Sequence, residues 1–179
     1  MSLAKQYANA LFDVVIKHDQ LEEARLDLNE VSKVVSTVDD INEFLINPKI
    51  SKETKLTTIR DSFKGTNEYV FNMLLVLTEK KQFSIVSRIH EEFTHLYNEH
   101  YNQAKVIVES VYELEDEQVA KIEEIFKAKT GYDKLLIENK INESLIGGFR
   151  VLIGSKVYDE SVVLQLRKIK DRFKTTKNI

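Results

Sequence analysis

The chain has 179 residues, 42% hydrophobic and 31% charged, with a formal net charge of −3, one proline, five glycines and no cysteine. That composition is globular and sized for one domain or two small ones, and it excludes disulfides, thiolate metal sites and cysteine nucleophiles. The slight acidity removes the basic field that general nucleic-acid binding needs, and no run reaches the roughly 18 apolar residues that span a bilayer.

The first segment, MSLAKQYANALFDVVIKHD, is not a signal peptide, because Asn9 and Asp13 interrupt its apolar stretch. It is not enriched in arginine as a transit peptide is, so a cytoplasmic protein of bacterial type is expected. Ala4, Tyr7, Ala8, Leu11 and Val15 follow helical spacing, while Ala10 and Val14 add a second apolar edge. A helix apolar on more than one side has more than one neighbour to satisfy. Next, Leu21, Ala24, Leu28, Val31, Val35 and Val38 form a narrow seam on a charged helix.

Asp39 and Asp40 offer capping chemistry to a short helix carrying Ile41, Phe44 and Leu45. Asn47-Pro48 ends it, since the residue before proline is pushed out of helical space. Ser51 is the expected N-cap of a helix burying Leu56, Ile59 and Phe63, and Gly65 is placed for its C-terminal cap. The helix near Glu68 to Lys80 is the most apolar, with Val70, Phe71, Met73, Leu74, Leu75, Val76 and Leu77 leaving no polar face. A long helix marked by Phe83, Val86, Ile89, Phe93 and Leu96 follows. That makes about six helices, enough for a compact bundle.

The character changes near Ala104. Lys105 to Tyr112 is β-branched and strand-like. Glu115-Asp116-Glu117 opens a helix with Val119, Ile122 and Phe126 inward, stopping at Gly131. Lys134 to Asn139 reads as a strand. The glycine segment adds one or two more, with Phe149, Val151 and Ile153 on one face, a Gly154-Ser155 turn, and Lys156 to Tyr158 after it. Ser161 to Lys174 is the expected final helix, with Val162, Leu166, Ile169 and Phe173 on one side. Its basic run suits a helix end favouring its own dipole. The fold class expected is mainly α: an N-terminal six-helix bundle over residues 1–104 and a small α/β domain over 105–179.

Two motifs approach known chemistry without reaching it. His90 and His95 in HEEFTH are five residues apart, which turns them roughly 140° from one another on a helix; the zinc motif needs four. In GFRVLIGSK, Gly148 to Lys156, the order after the second glycine is Ser155-Lys156, whereas a phosphate loop has lysine first. Its apolar interior reads as strand, with glycines permitting a bulge or tight turn. No catalytic residue, metal ligand or cofactor is expected.

Several pieces resemble, in order, the delta subunit family of F-type ATP synthases, known in mitochondria as the oligomycin-sensitivity-conferring protein. Ala4-Lys5-Gln6-Tyr7-Ala8-Asn9-Ala10-Leu11-Phe12 is similar to the family's opening, and Asn47-Pro48 with Ile50 and Lys55 to its mid-domain break. The apolar helix with Glu79, then Phe83, Val86, Ile89 and Phe93, is similar to its fifth and sixth helices. The signature comprises Ile141, Ser144, Leu145, Gly147-Gly148, Ile153-Gly154, Val157, Asp159 and Ser161-Val162. The chain departs from the family at Gln82, where arginine is frequent, and at Glu160 to Leu166, where two arginines and two glycines are lost.

The resemblance implies a non-catalytic stator subunit at the cytoplasmic face of the bacterial membrane, peripheral and present once per complex. Its partners would be the N-terminal helices of the alpha subunits, gripped by residues 1–104, and the b subunits of the peripheral stalk, met by residues 105–179. Contact with the membrane would come only through the complex. Surplus apolar surface on the first and fifth helices fits a partner groove. The residues nominated for it are Tyr7, Ala10 and Val14, with Asn72, Leu75, Val76 and Glu79; the alternative is that they fill the protein's own core. Two rival functions stand beside this one: a small enzyme binding a phosphorylated ligand at Gly147–Gly154, and an unrelated helical adaptor.

Overall fold

A computed structural model describes residues 2–159; the helix expected over Ser161 to Lys174 lies outside them. The described chain is mainly helical, with one small sheet toward its C-terminal end. The order is α1 (Leu3–Lys17), α2 (Leu21–Thr37), α3 (Asp39–Ile46), α4 (Lys52–Ser62), α5 (Glu68–Glu79), a 3-10 turn (Phe83–Ile85) and α6 (Val86–His100). Then come β1 (Gln103–Ser110), α7 (Asp116–Thr130), β2 (Lys134–Ile141), β3 (Phe149–Ile153) and β4 (Lys156–Asp159). The chain divides into two compact units, the first ending at Tyr97 and the second beginning at Asn98.

In the first unit the hydroxyl of Ser2 accepts from the Lys5 amide at 3.2 Å and starts α1. Helix α2 buries Leu21, Ala24, Leu28, Val31 and Val35. The seam ends there: Val38 turns extended, leaves the helix and is 40% exposed. Val38 also takes the N-cap position of α3 without a side-chain bond. Asp39 and Asp40 therefore begin α3 and do not cap it. Asn47 is extended before Pro48, and its carbonyl accepts from the buried Lys55 ammonium at 2.7 Å. Ser51 caps α4, accepting from the Thr54 amide at 3.1 Å. Gly65, at φ 98°, lies two residues beyond the Phe63 C-cap.

Helix α5 packs against α1, α2 and α4. Asn67 fixes its start: the side chain accepts from the Tyr69 amide at 3.1 Å and donates to Gln20 at 2.8 Å. The Asn67 amide donates to Asp27 at 2.6 Å. Helices α1 and α5 end alike. Gln20 N donates to Val15 O at 2.9 Å and Asp19 N to Ile16 O at 3.2 Å; Gln82 N donates to Leu77 O at 2.8 Å and Lys81 N to Thr78 O at 3.1 Å. This paired closure needs a left-handed residue, and Asp19 and Lys81 supply it at φ 56° and 57°. The second closure also takes Phe83 out of the long helix expected for it, into a separate 3-10 turn ahead of Val86. Val15, Leu28, Val70, Leu74, Leu77, Val86, Ile89 and Phe93 form the centre of this unit's core, with Phe12 edge-on to Phe93 at 5.6 Å.

The second unit holds a four-stranded sheet in the order β2-β1-β3-β4. Strand β1 pairs parallel to β2 and antiparallel to β3, and β3 pairs antiparallel to β4. Parallel pairing of β1 with β2 requires a crossover, and α7 provides it. Glu115 and Gln118 close a capping box at its start, and Gly131 ends it at φ 78°. Strand alternation buries Val106 and Val108 of β1 and Val151 and Ile153 of β3, with Ile122 and Phe126 of α7 in the same core. Val119, expected inward, is only half-buried. Asn139 of β2 ties the crossover to the sheet. Its amide donates to Val108 O at 2.8 Å and Ser110 Oγ at 2.7 Å, and its Oδ1 accepts from the Leu114 amide at 2.9 Å.

Candidate docking groove on helices α1 and α5

Along one side of α1 the side chains step by three and four, and the outer row is Tyr7, Ala10 and Val14. The same spacing on α5 gives Tyr69, Asn72, Met73 and Val76. These rows face each other across an open concavity of about 230 Å³, with Leu11 also in its lining. Leu11 and Met73 are buried and reach into the core beneath. Ala10 is too small to fill the space above them, so the groove stays open there. Val76 is 38% exposed at its wall.

An adjoining concavity of about 270 Å³ shares Tyr7, Ala10 and Val76 and adds Leu3, Gln6 and Lys80. The two form one channel running from Leu3 to Val14, about 16 Å at 1.5 Å per residue. Polar groups sit at its ends. The Lys80 ammonium lies 6.0 Å from the centre of the Tyr7 ring. At the other end His18 stacks on Tyr69 at 5.2 Å between ring centres. Loss of hydration, then the hydrogen bond and charge of Glu68, hold the Tyr69 phenol above its ordinary pKa.

Five of the nominated residues therefore come together: Tyr7, Ala10, Val14, Asn72 and Val76. Leu75 and Glu79 do not line the channel. Leu75 packs half-buried on the core, and the Glu79 carboxylate pairs with Lys52 of α4 at 3.0 Å. Sequence reasoning missed Leu3, Gln6, Leu11, Tyr69, Met73 and Lys80. The signal for Tyr69, Met73 and Lys80 was present, because all three are helical neighbours of Asn72 and Val76.

The other motifs sit elsewhere. Gly148 and Gly154 have positive φ, at 78° and 57°, and bracket β3, whose residues pair with β1 on one side and β4 on the other. Gly154 is the first residue of a two-residue hairpin turn, a position that favours glycine. The segment is hairpin, and Arg150 to Ile153 are paired on both sides. His90 is half-buried, with burial holding its imidazole below the ordinary value, while His95 lines a separate hollow with Arg88, Glu91 and Glu92. That hollow, about 370 Å³, sets Leu3, Ala4 and Ile85 beside a rim of opposed charges from Arg88, Glu91 and Glu92.

The family model described as ATP synthase delta (OSCP) subunit matches residues 3–173. The chain belongs to that family. The delta (OSCP) subunit is a stator component of the F-type ATP synthase, structural and not itself catalytic. Similar relatives include the ATP synthase subunit delta of Staphylococcus carnosus (strain TM300), 38% identical over 98% of each chain. That of Bacillus pumilus (strain SAFR-032) is 35% identical over 93% of this chain and 92% of its own. Among solved structures, a chain of the Toxoplasma gondii mitochondrial ATP synthase hexamer superposes with a TM-score of 0.71 at 21% identity. It covers 97% of this chain and 98% of its own. A Polytomella F-ATP synthase structure of the F1 head and rotor contains a chain with a TM-score of 0.51 at 17% identity over 56% of this chain and 90% of its own. These likenesses bear on the fold of the delta (OSCP) chain. No helix among the described residues is long and apolar enough to cross a membrane.

Proposed function

We propose that this chain is the clamp of the stator, holding the catalytic head against the drag of the rotor. Residues 1–104, a six-helix bundle, grip the N-terminal helix of an alpha subunit in the α1–α5 channel. Residues 105–179 meet the b subunits of the peripheral stalk. One copy serves each complex, and the protein lies peripherally at the cytoplasmic face of the membrane through the assembly alone.

The observation that carries this reading is the channel itself. Its floor is sealed by Leu11 and Met73, yet its walls leave apolar surface to solvent at Leu3 and Val76, 39% and 38% exposed. A surface helix that has already buried one face gains nothing from such residues unless a second apolar body covers them. The opening is long and narrow, which suits a helix presenting anchors at i, i+3 or i+4, and i+7. Catalysis at Gly147–Gly154 finds no comparable support, because the residues between the glycines form β3 and pair with β1 and β4.

The test is calorimetry of the full chain against a synthetic peptide copying the N-terminal segment of the alpha subunit from the same synthase. Saturable one-to-one binding at micromolar concentration is expected. No heat and no competition with a labelled peptide at that concentration would remove the groove from the account.

A further inference from the structure

We infer that the helix received by the α1–α5 channel carries a carboxylate at the Lys80 end, one turn beyond its last apolar anchor, and docks in the single direction that brings it there. This rests on the channel being a helix-docking site, as proposed above.

The channel is not symmetric. Its Val14 half is lined by Leu11, Val14, Met73 and Val76, with Asn72 and the Tyr69 phenol its polar groups. Its Leu3 half opens onto Gln6 and Lys80. Lys80 is the C-cap of α5, exposed, with its ammonium over the Tyr7 ring. Among the described residues no carboxylate pairs with it. The adjacent Glu79, the nearest acid in sequence, is engaged by Lys52 at 3.0 Å. The cation thus lies at the rim beside an aromatic face and has no counter-ion among the described residues.

The far end differs. Glu68 and Asp19 stand there with Lys17 at the ends of α5 and α1, so acids outnumber bases among these groups. The Lys80 end carries the opposite sign. A partner helix covering the apolar half would bring its next turn over Tyr7 and reduce the hydration of the Lys80 ammonium. Desolvating an unpaired charge is unfavourable, and a carboxylate at that turn offsets the cost. Reversed docking would leave Lys80 covered and unpaired. Charge at a groove rim selects orientation and partner more than it adds affinity.

The probes are the alpha-subunit N-terminal peptide and versions of it in which each Glu or Asp in turn is replaced by Lys. Full-length protein is titrated as wild type, Lys80→Arg, Lys80→Gln, Lys80→Glu and Ala10→Asp, at low and at high salt. Expected are near-native affinity for Lys80→Arg, a loss of about threefold for Lys80→Gln and about tenfold for Lys80→Glu. The wild-type affinity should weaken with salt more than that of Lys80→Gln. One peptide reversal should restore binding to Lys80→Glu while weakening binding to wild type.

Equal affinities for all the Lys80 variants at both salts would overturn the inference and leave the groove standing, provided Ala10→Asp abolishes binding. Weakening by Lys80→Glu that no peptide reversal rescues would also overturn it, assigning the effect to the lost Tyr7 contact. Failure of the wild type to bind would instead remove the docking site itself.

Discussion

The hydroxyl of Tyr97 on α6 donates to the Glu22 carboxylate on α2 at 2.6 Å. The same carboxylate accepts from Arg25 Nε at 3.1 Å, and the Arg25 guanidinium lies 5.0 Å over the Tyr97 ring. Three side chains thus clasp two helices that are 75 residues apart in sequence at Glu22 and Tyr97. Tyr97→Phe keeps the ring under Arg25 and removes only the bond to the carboxylate. A loss of about 1 kcal/mol in unfolding free energy is expected, read from urea denaturation. An unchanged midpoint would mean water replaces the phenol at no cost.

Stability should depend on pH in two separate windows. Burial holds the His90 imidazole below its ordinary value; Glu91 opposes this, and Arg25 and Lys33 reinforce it. The unfolded chain, with a histidine pKa of about 6.5, therefore takes up that proton before the folded one. Stability falls as the pH drops from about 7 through the folded pKa. Glu22 is the opposite case, held down first by the Arg25 hydrogen bond and then by Tyr97. Its contribution is present above about pH 4.3 and is lost as the pH falls through its lower folded value. Denaturation midpoints between pH 5 and 8 should decline toward acid in the wild type and flatten in His90→Gln. A mutant curve parallel to wild type would put the dependence on other groups.

Ala10→Asp places a charge inside the α1–α5 channel without touching the core, since Ala10 is solvent-exposed. Helicity and melting should stay close to wild type. Affinity for the alpha-subunit peptide should fall by at least about tenfold, because the carboxylate would be covered without a partner. A loss of helicity would instead assign Ala10 to the interior packing.

Lys81 closes α5 with φ 57°, a conformation that costs a side-chain-bearing residue roughly 1 kcal/mol. Lys81→Gly should therefore stabilise the protein by up to that amount while leaving the closing bonds to Leu77 and Thr78 in place. Thermal denaturation measures it. Destabilisation would show that the freedom given to the unfolded chain outweighs the relieved strain.

Asn139 satisfies the Val108 carbonyl, the Ser110 hydroxyl and the Leu114 amide together. Asn139→Leu strips the side-chain partner from all three at once, with an expected cost of about 2 kcal/mol. Hydrogen exchange should quicken across β1, β2 and the start of α7 and stay unchanged in α1–α6. Uniform loss of protection along the chain would contradict a role confined to the second unit.

Where local chemistry decided the structure, the sequence was readable. The Ser51 cap, the turn out of helix at Asn47-Pro48, the acidic start of α7, its stop at Gly131 and the β3–β4 hairpin all follow from preferences a few residues wide. Val38 and Phe83 departed from expectation for one reason. Each fits the helical period of its neighbours, but the backbone turns away beside it. At Phe83 the turn is made by Lys81 in a left-handed conformation that residue type did not announce.

The amino-acid order alone determined where most helices and strands lie, Val38 and Phe83 excepted, and that α1 and α5 carry more apolar surface than one core can use. Only tertiary structure decided which of that surface stays open. Residues 72 to 80 wind through two turns, so each faces a different neighbour, and the packing angle of α5 against α1 and α4 sets the phase. It turned Glu79 to Lys52, tucked Leu75 inward and left Lys80 above Tyr7. A period in sequence marks a face, but the direction that face points depends on contacts between residues some seventy positions apart.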